Sequence, residues 1–374
     1  MFELFNNFKE SKKMSKSTSL SNNEKKFILS TLEEKHVDSS SKSSSSQQNF
    51  QSILRIDGRN LYDYRTIEFS LPTASSIISP TLNQTTQVVS GEVQVAIGKT
   101  IVLGVVSCTI QEPFPDRPNE GFLTFQTDFS TVGSRPIGTK QTSQQRELCI
   151  EISRVIDRSL RGSRAIDTEA LCIIAGRKVW SLRVDVHILQ DDGNVFDCCH
   201  LAAISALLHF KRPEVTIEGD RVVIHSVQDR QPVPLSVHHI PICTSFTFFT
   251  SPIDASCTLF VVDPCKKEED IAEGFMTIAL NAHKELCAIQ KGGGLALTKD
   301  QILECAQIAS VKSKEITEAL KRFLQSEESK RIQQGKSQYI KYEEDMKPVE
   351  EEEDQDEELS DISEPFSDFE QDEE

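Results

Sequence analysis

Between residues 93 and 105 apolar side chains recur at every second position. Val93, Val95 and Ile97 are followed, after Gly98-Lys99, by Ile101, Leu103 and Val105. Period-two patterning on both sides of a glycine turn predicts a β-hairpin. "YRTIEFSL" before it and "GFLTFQTDF" after it read as further strands. At residue 145 the period lengthens. Leu148, Ile152, Val155, Ile156 and Leu160 share one helical face, so a helix is predicted over 145–161. Arg154, Arg158 and Arg161 fall on its other side, where their stems are expected to cover apolar surface and pair with acids. "EALCIIAG" and "VWSLRVDVHIL" read as two strands joined through Arg177-Lys178. Val195 to Phe210 is apolar all round, which predicts a buried helix.

The second half repeats the theme. "EVTIEGDRVVIHS" reads as a hairpin turning at Gly219-Asp220, and "PICTSFTFF", "CTLFVVD", "GFMTIALN" and "KELCAIQK" supply strands. Thr298 and Gln301 form a capping box for a last helix, with Ile302, Ala306, Ala309, Ile316, Leu320 and Phe323 on one stripe. A second capping box, Ser21 to Glu24, opens a short helix carrying Phe27, Ile28 and Leu32. That helix is too short to persist alone and should dock on the body. The order predicts an α+β body of two similar βαβ-type halves.

Charge changes the picture at the ends. The chain has 374 residues and a formal charge of −17. Residues 343–374 hold 18 Asp or Glu and one Lys, leaving 40 acids and 40 bases in the rest. The body is neutral, and the acidic segment is expected to be a disordered, solvated tail. "SKSTSLSNN" and "SSSKSSSSQQNFQ" read as linker. The expected organisation is a disordered 1–19, a docking helix 20–35, a Ser-rich linker 36–52, domains at 53–210 and 211–325, and the acidic tail 326–374. No secretory signal or membrane span is expected.

Most candidate chemistry dissolves on inspection. The ten cysteines include no C-x-x-C pair and read as reduced, mostly buried thiols of a cytosolic or nuclear protein. "CCH", Cys198 to His200, lacks a second ligand pair, so no metal site is expected there. "IGKT", residues 97–100, lacks the earlier glycine of a phosphate loop and lies in the predicted hairpin. Gly292 to Gly294 reads as a turn between two strands, and His238-His239 as a strand entrance.

"IDGRNLYDYRTIEFS" is more specific. Together with "ELCIEISRVIDRSLRGSRAIDTEALCIIAGRKVWSLRVDVHILQDDGNVFD", "PVPLSVHHIPICTSFTFF" and "VVDPCKKEED", it resembles the RNase PH family. The likeness covers 20–35 and about 53–325. Within the family the chain is most similar to a eukaryotic RNA exosome ring subunit of the polymyositis/scleroderma-autoantigen type. The resemblance implies a ribosomal protein S5 domain 2-like half followed by an RNase PH C-terminal domain. It also implies the family's reaction, removal of RNA 3′ nucleotides by inorganic phosphate with a divalent metal.

That reaction needs Arg forks to hold phosphate, and carboxylates with a metal at the leaving oxygen. By the resemblance, the acidic pair falls on Asp270 and Met276, the Thr-Arg of the phosphate loop on Val195 and Phe196, and a helix Arg on Leu148. Three requirements fail together. No catalytic residue, metal or cofactor is therefore expected, and an active phosphate-dependent 3′–5′ exoribonuclease is the alternative. A free-standing RNA-binding protein of the same fold is a third possibility.

The resemblance further implies a ring of RNase PH-type subunits under S1/KH caps, threading RNA for 3′–5′ decay and for rRNA and mRNA processing in nucleus, nucleolus and cytoplasm. Arg135, Lys140 and Arg146 are the candidate RNA contacts, although Glu147 and Glu151 lie close by. In the tail, Ser360, Ser363 and Ser367 sit among acids as candidate phosphorylation sites. Leu359, Ile362, Phe366 and Phe369 could anchor an associated nuclease or helicase cofactor.

Overall fold

The computed structural model describes residues 20–33, 55–72, 88–130, 143–218, 221–225, 230–250 and 258–345. The chain divides into two units, Met1–Leu324 and Gln325–Glu374. All packing below belongs to the first.

Six strands form the larger sheet: β1 (Ile67–Ser70), β2 (Val88–Ile97), β3 (Thr100–Gln111), β4 (Phe122–Phe129), β5 (Cys172–Ile174) and β6 (Lys178–Gln190). Their order is β1-β2-β3-β6-β4, with β5 on β6. The β2–β3 turn falls at Gly98-Lys99 as the alternation predicts, Ile97 pairing with Thr100. Only β4 runs parallel to its partner, β6. The connection between them carries α2 (Ser143–Asp157), continued by one π-helical turn at Arg158–Gly162.

Helix α3 (Val195–His209) lies on β2 and β3 and is buried along its length. Close approach demands glycine beneath it: a Cβ on Gly104 would stand 2.6 Å from the Ala202 carbonyl oxygen. Val93, Val95, Ile97, Val102 and Val106 fill this face of the sheet. Here the hairpin departs from the expectation. β3 is apolar on both faces, and the inward set is Val102 and Val106. Leu103 pairs with His187 and Val105 with Asp185 on the opposite face.

Four short strands come next in the chain, β7 (Lys211–Arg212) paired with β10 (Val233–Pro234), and β8 (Val215–Glu218) with β9 (Arg221–Ile224). The smaller sheet has the order β12-β11-β13-β14, from β11 (Ile242–Thr250), β12 (Thr258–Val262), β13 (Gly274–Leu280) and β14 (Leu286–Gly293). A short helix, α4 (Lys266–Glu269), follows β12. One sheet face packs Phe246, Phe248, Met276 and Ile278 against Cys305 and Ala309 of α5 (Lys299–Asp345). The other face receives α1 (Asn22–Glu33), whose Ile28 and Leu32 sit on Phe249, Leu259 and Val261. Both capping boxes form: Glu24 accepts from the Ser21 N–H, and Gln301 from the Thr298 N–H. Phe27, expected to dock, is 62 % exposed. Gly292 to Gly294 does not join two strands; it ends β14 ahead of α5. All cysteines of the described residues are free thiols, most of them buried. Among the described residues no helix is long and apolar enough to cross a membrane.

Candidate functional site

Where the two sheets meet, the segment "RIDGRNLYDYR" works as a strut. Asp263, fully buried at the end of β12, accepts from Arg59 Nη1 at 2.7 Å, from the Arg65 guanidinium at 2.8 and 3.0 Å, and from Asn194 Nδ2 at 2.7 Å. These partners hold its carboxyl below the usual range against the opposing effect of burial. Arg55 is clamped by the Glu268 carboxylate and donates to the Val262 carbonyl at 2.7 Å. Asp197, in the first turn of α3, accepts from Tyr64 Oη, Ser245 N, Ser245 Oγ and Asn194 Nδ2 at 2.7–2.9 Å. Burial nonetheless pushes its pKa up to about 6. Charged groups this deep survive only when paired and hydrogen-bonded.

A cleft of about 320 Å³ lies at the N-terminus of α3. Its walls include Leu148, Val195, Phe196, Ala272 and Phe275, with Glu151, Lys266, Glu269 and Asp270 among them. The Phe196 and Phe275 ring centroids lie 6.0 Å apart. Lys266 Nζ is 2.8 Å from Asp191 and 3.7 Å from Glu269. Glu269 Oε1 accepts the Asn194 N–H at 2.7 Å, immediately before the helix. A helix N-terminus favours an anion; here the protein supplies its own. Burial raises the Glu269 pKa to about 7, partly opposed by Lys266. Burial and neighbouring Glu147 also raise the Glu151 pKa, partly offset by Arg154.

The positions singled out by the family pattern mostly converge on this cleft. Leu148, Val195, Phe196 and Asp270 all line it. Met276 does not: it is 1 % exposed and packs in the core against α5. Strand alternation explains the difference. The cleft face of β13 presents Phe275 and Thr277, so a second carboxylate is missing there too, but position 276 is the wrong place to seek it. A hard divalent cation needs several oxygen ligands. Among the described residues no cluster of three or more His, Cys, Asp or Glu is arranged to hold a metal. The residues present do not fit the family's metal.

Of the RNA candidates, Arg146 is exposed in the first turn of α2, while Arg135 and Lys140 lie outside the described residues, as do Ser360, Ser363 and Ser367. The arginines expected to be structural stand differently. Arg154 and Arg158 are exposed. Among the described residues neither has a carboxylate ion pair: Arg158 reaches only the Gln290 side chain at 3.2 Å and the Ile289 carbonyl at 3.5 Å. Arg161 alone pairs as expected, with Asp157 at 2.7 Å. Part of the signal was in the sequence: Arg158 has no acid three or four residues away on either side, and Asp157, the acid one turn after Arg154, is also four residues before Arg161, with which it pairs. In "CCH", Cys198 turns toward the Val95 and Thr100 carbonyls while His200 is buried against Ser159 Oγ at 2.7 Å. Burial pushes the His200 pKa down to about 4, leaving a neutral core histidine.

Two family models match: the 3′ exoribonuclease family, domain 1, over residues 65–213, and domain 2 over residues 239–312. Exosome complex component RRP45 of Homo sapiens is 40% identical over 321 residues, covering 86% of this chain and 64% of that protein. The chain thus spans less than two thirds of the length of its mammalian relatives. The Schizosaccharomyces pombe component rrp45 is 36% identical, with 79% and 88% covered. Among solved structures, a chain of the Archaeoglobus fulgidus exosome with RNA bound to the active site matches with a TM-score of 0.58 and 25% identity, covering 79% of this chain and 96% of that one. The chain belongs to the 3′ exoribonuclease (RNase PH) family, in the branch of the exosome components named RRP45.

Proposed function

We propose that the chain is a structural, non-catalytic subunit of an exosome core ring, helping to wall the channel that leads RNA to 3′–5′ decay and processing elsewhere in the assembly. One observation carries the reading. At the N-terminus of α3, where phosphate chemistry needs cationic forks, the cleft is lined by Leu148, Val195, Phe196 and Phe275, its Lys266 is held by Asp191, and the helix N-terminus is already served by Glu269. The names of the relatives support the ring setting. Partners are then other RNase PH-type ring subunits, S1/KH caps and RNA, with nucleus, nucleolus and cytoplasm as the compartments. The acidic segment 343–374 is assigned to recruitment of a basic cofactor; deleting it should lower cofactor co-purification without affecting ring assembly.

The test is direct. The purified chain, incubated with a 3′-tailed RNA, inorganic phosphate and Mg²⁺, should release no nucleoside diphosphate. Release that tracks the added phosphate would establish the active exoribonuclease instead.

A further inference from the structure

Phe196 and Phe275, their ring centroids 6.0 Å apart, line the cleft beside Leu148 and Val195, so part of its lining is hydrocarbon. Asp270 is exposed at its edge and Glu151 is half-buried in its wall. Lys266, the one lining cation among the described residues, is held by Asp191. A phosphate or nucleotide entering here would meet carboxylates and aromatic faces. The arrangement suits a guest of opposite character: a large apolar side chain to displace water from the apolar lining, and a cation beside it for the acids. An Arg or Lys stem lying over either phenyl ring would gain a cation–π contact as well. The volume, about 320 Å³, is at the small end of ligand pockets and holds one or two side chains.

We propose that this cleft is a docking site for a short protein segment in which Phe, Leu or Met adjoins Lys or Arg. The inference stands on the cleft alone and does not depend on the ring assignment.

The test uses the full chain as bait against a bead-displayed random hexapeptide library at about 0.3 M NaCl, where exposed charges are largely screened. Selected peptides should be enriched in Phe, Leu or Met next to Arg or Lys. The strongest of them should bind the double variant Asp270→Lys/Glu151→Lys about tenfold more weakly or worse. The acidic tail is present in both proteins and cannot account for that difference. A control pair far from the cleft in sequence, Glu112→Lys/Asp116→Lys, should bind like the parent. No enrichment, enrichment of acidic peptides, equal loss in the control pair, or an unchanged affinity in the cleft variant would each overturn the proposal. Displacement of the selected peptide by uridine monophosphate would also sink it, by assigning the cleft to nucleotides.

Discussion

Asp197 shows how much one side chain can be asked to carry. It is 3 % exposed and accepts four hydrogen bonds from groups on three segments, yet burial keeps its pKa near 6. A carboxyl raised in the folded state is protonated there while the unfolded chain has already released its proton. Stability from this group is therefore full below pH 4 and is lost as pH rises toward 6. In Asp197→Asn that titration disappears, so urea midpoints measured from pH 4 to 7 should slope less steeply than in the parent. Above pH 6, where Asp197 is ionised, the variant should also be weaker, by about 3 kcal/mol, because an amide nitrogen would oppose donors that a carboxylate satisfies. An unchanged slope would remove Asp197 from the titration. Glu269 titrates near 7, but 31 % of its side chain still meets solvent, and screening keeps its effect on stability small. Arg55 behaves more simply. Arg55→Ala strands the buried Glu268 carboxylate and should cost about 3–5 kcal/mol in a denaturant titration, whereas Arg117→Ala, which breaks an exposed pair with Glu120, should cost under about 1 kcal/mol.

Among the elements, α1 is a test of what an amphipathic pattern specifies. Its sequence offers four large apolar residues: Ile28 and Leu32, four apart, are buried on the sheet, Leu29 packs partly buried beside them, and Phe27 is rotated into solvent. Leu32→Ala should lower stability by about 2–4 kcal/mol and Phe27→Ala by about 0.5 kcal/mol or less, readable as the difference in their urea midpoints. The same limit on local pattern explains what was legible. Strands with one buried face, the nearly all-apolar α3 and the two capping boxes announce themselves because a single period, an apolar run or a paired cap decides them. β3 misleads because both of its faces are apolar, so alternation cannot say that Val102 and Val106, instead of Leu103 and Val105, face α3. Met276 misleads for a related reason. A six-residue spacing carried over from the family fixes a position, but the pleat decides which way it points, and at 276 it points into the core. The cleft was legible as an absence, through Leu148, Val195 and Phe196. Its positive content was not, because Glu269 reaches Asn194 and Lys266 reaches Asp191 across more than seventy residues.

For the molecule as a whole, the role proposed above requires an electrically neutral body to meet RNA. Net charge does not decide this, since phosphate contacts depend on local, uncompensated cations. Arg154 and Arg158 lie four residues apart on one side of α2 and its π-helical extension, and the partners given to Arg158 are both neutral. Among the described residues the Arg158 charge is thus not offset by an acid and Arg154, though near Glu151, forms no ion pair, whereas the Arg161 charge is offset by Asp157. If the channel wall uses them, Arg154→Gln/Arg158→Gln in the assembled ring should weaken RNA binding about equally for all sequences. It should also reduce the slope of log K against log salt by about one per arginine. Arg161→Gln should change the slope by less. The melting temperature should barely move, because exposed side chains without ion pairs contribute little to stability. A lowered melting temperature with an unaltered salt slope would return both arginines to the structural role that their helix face first suggests.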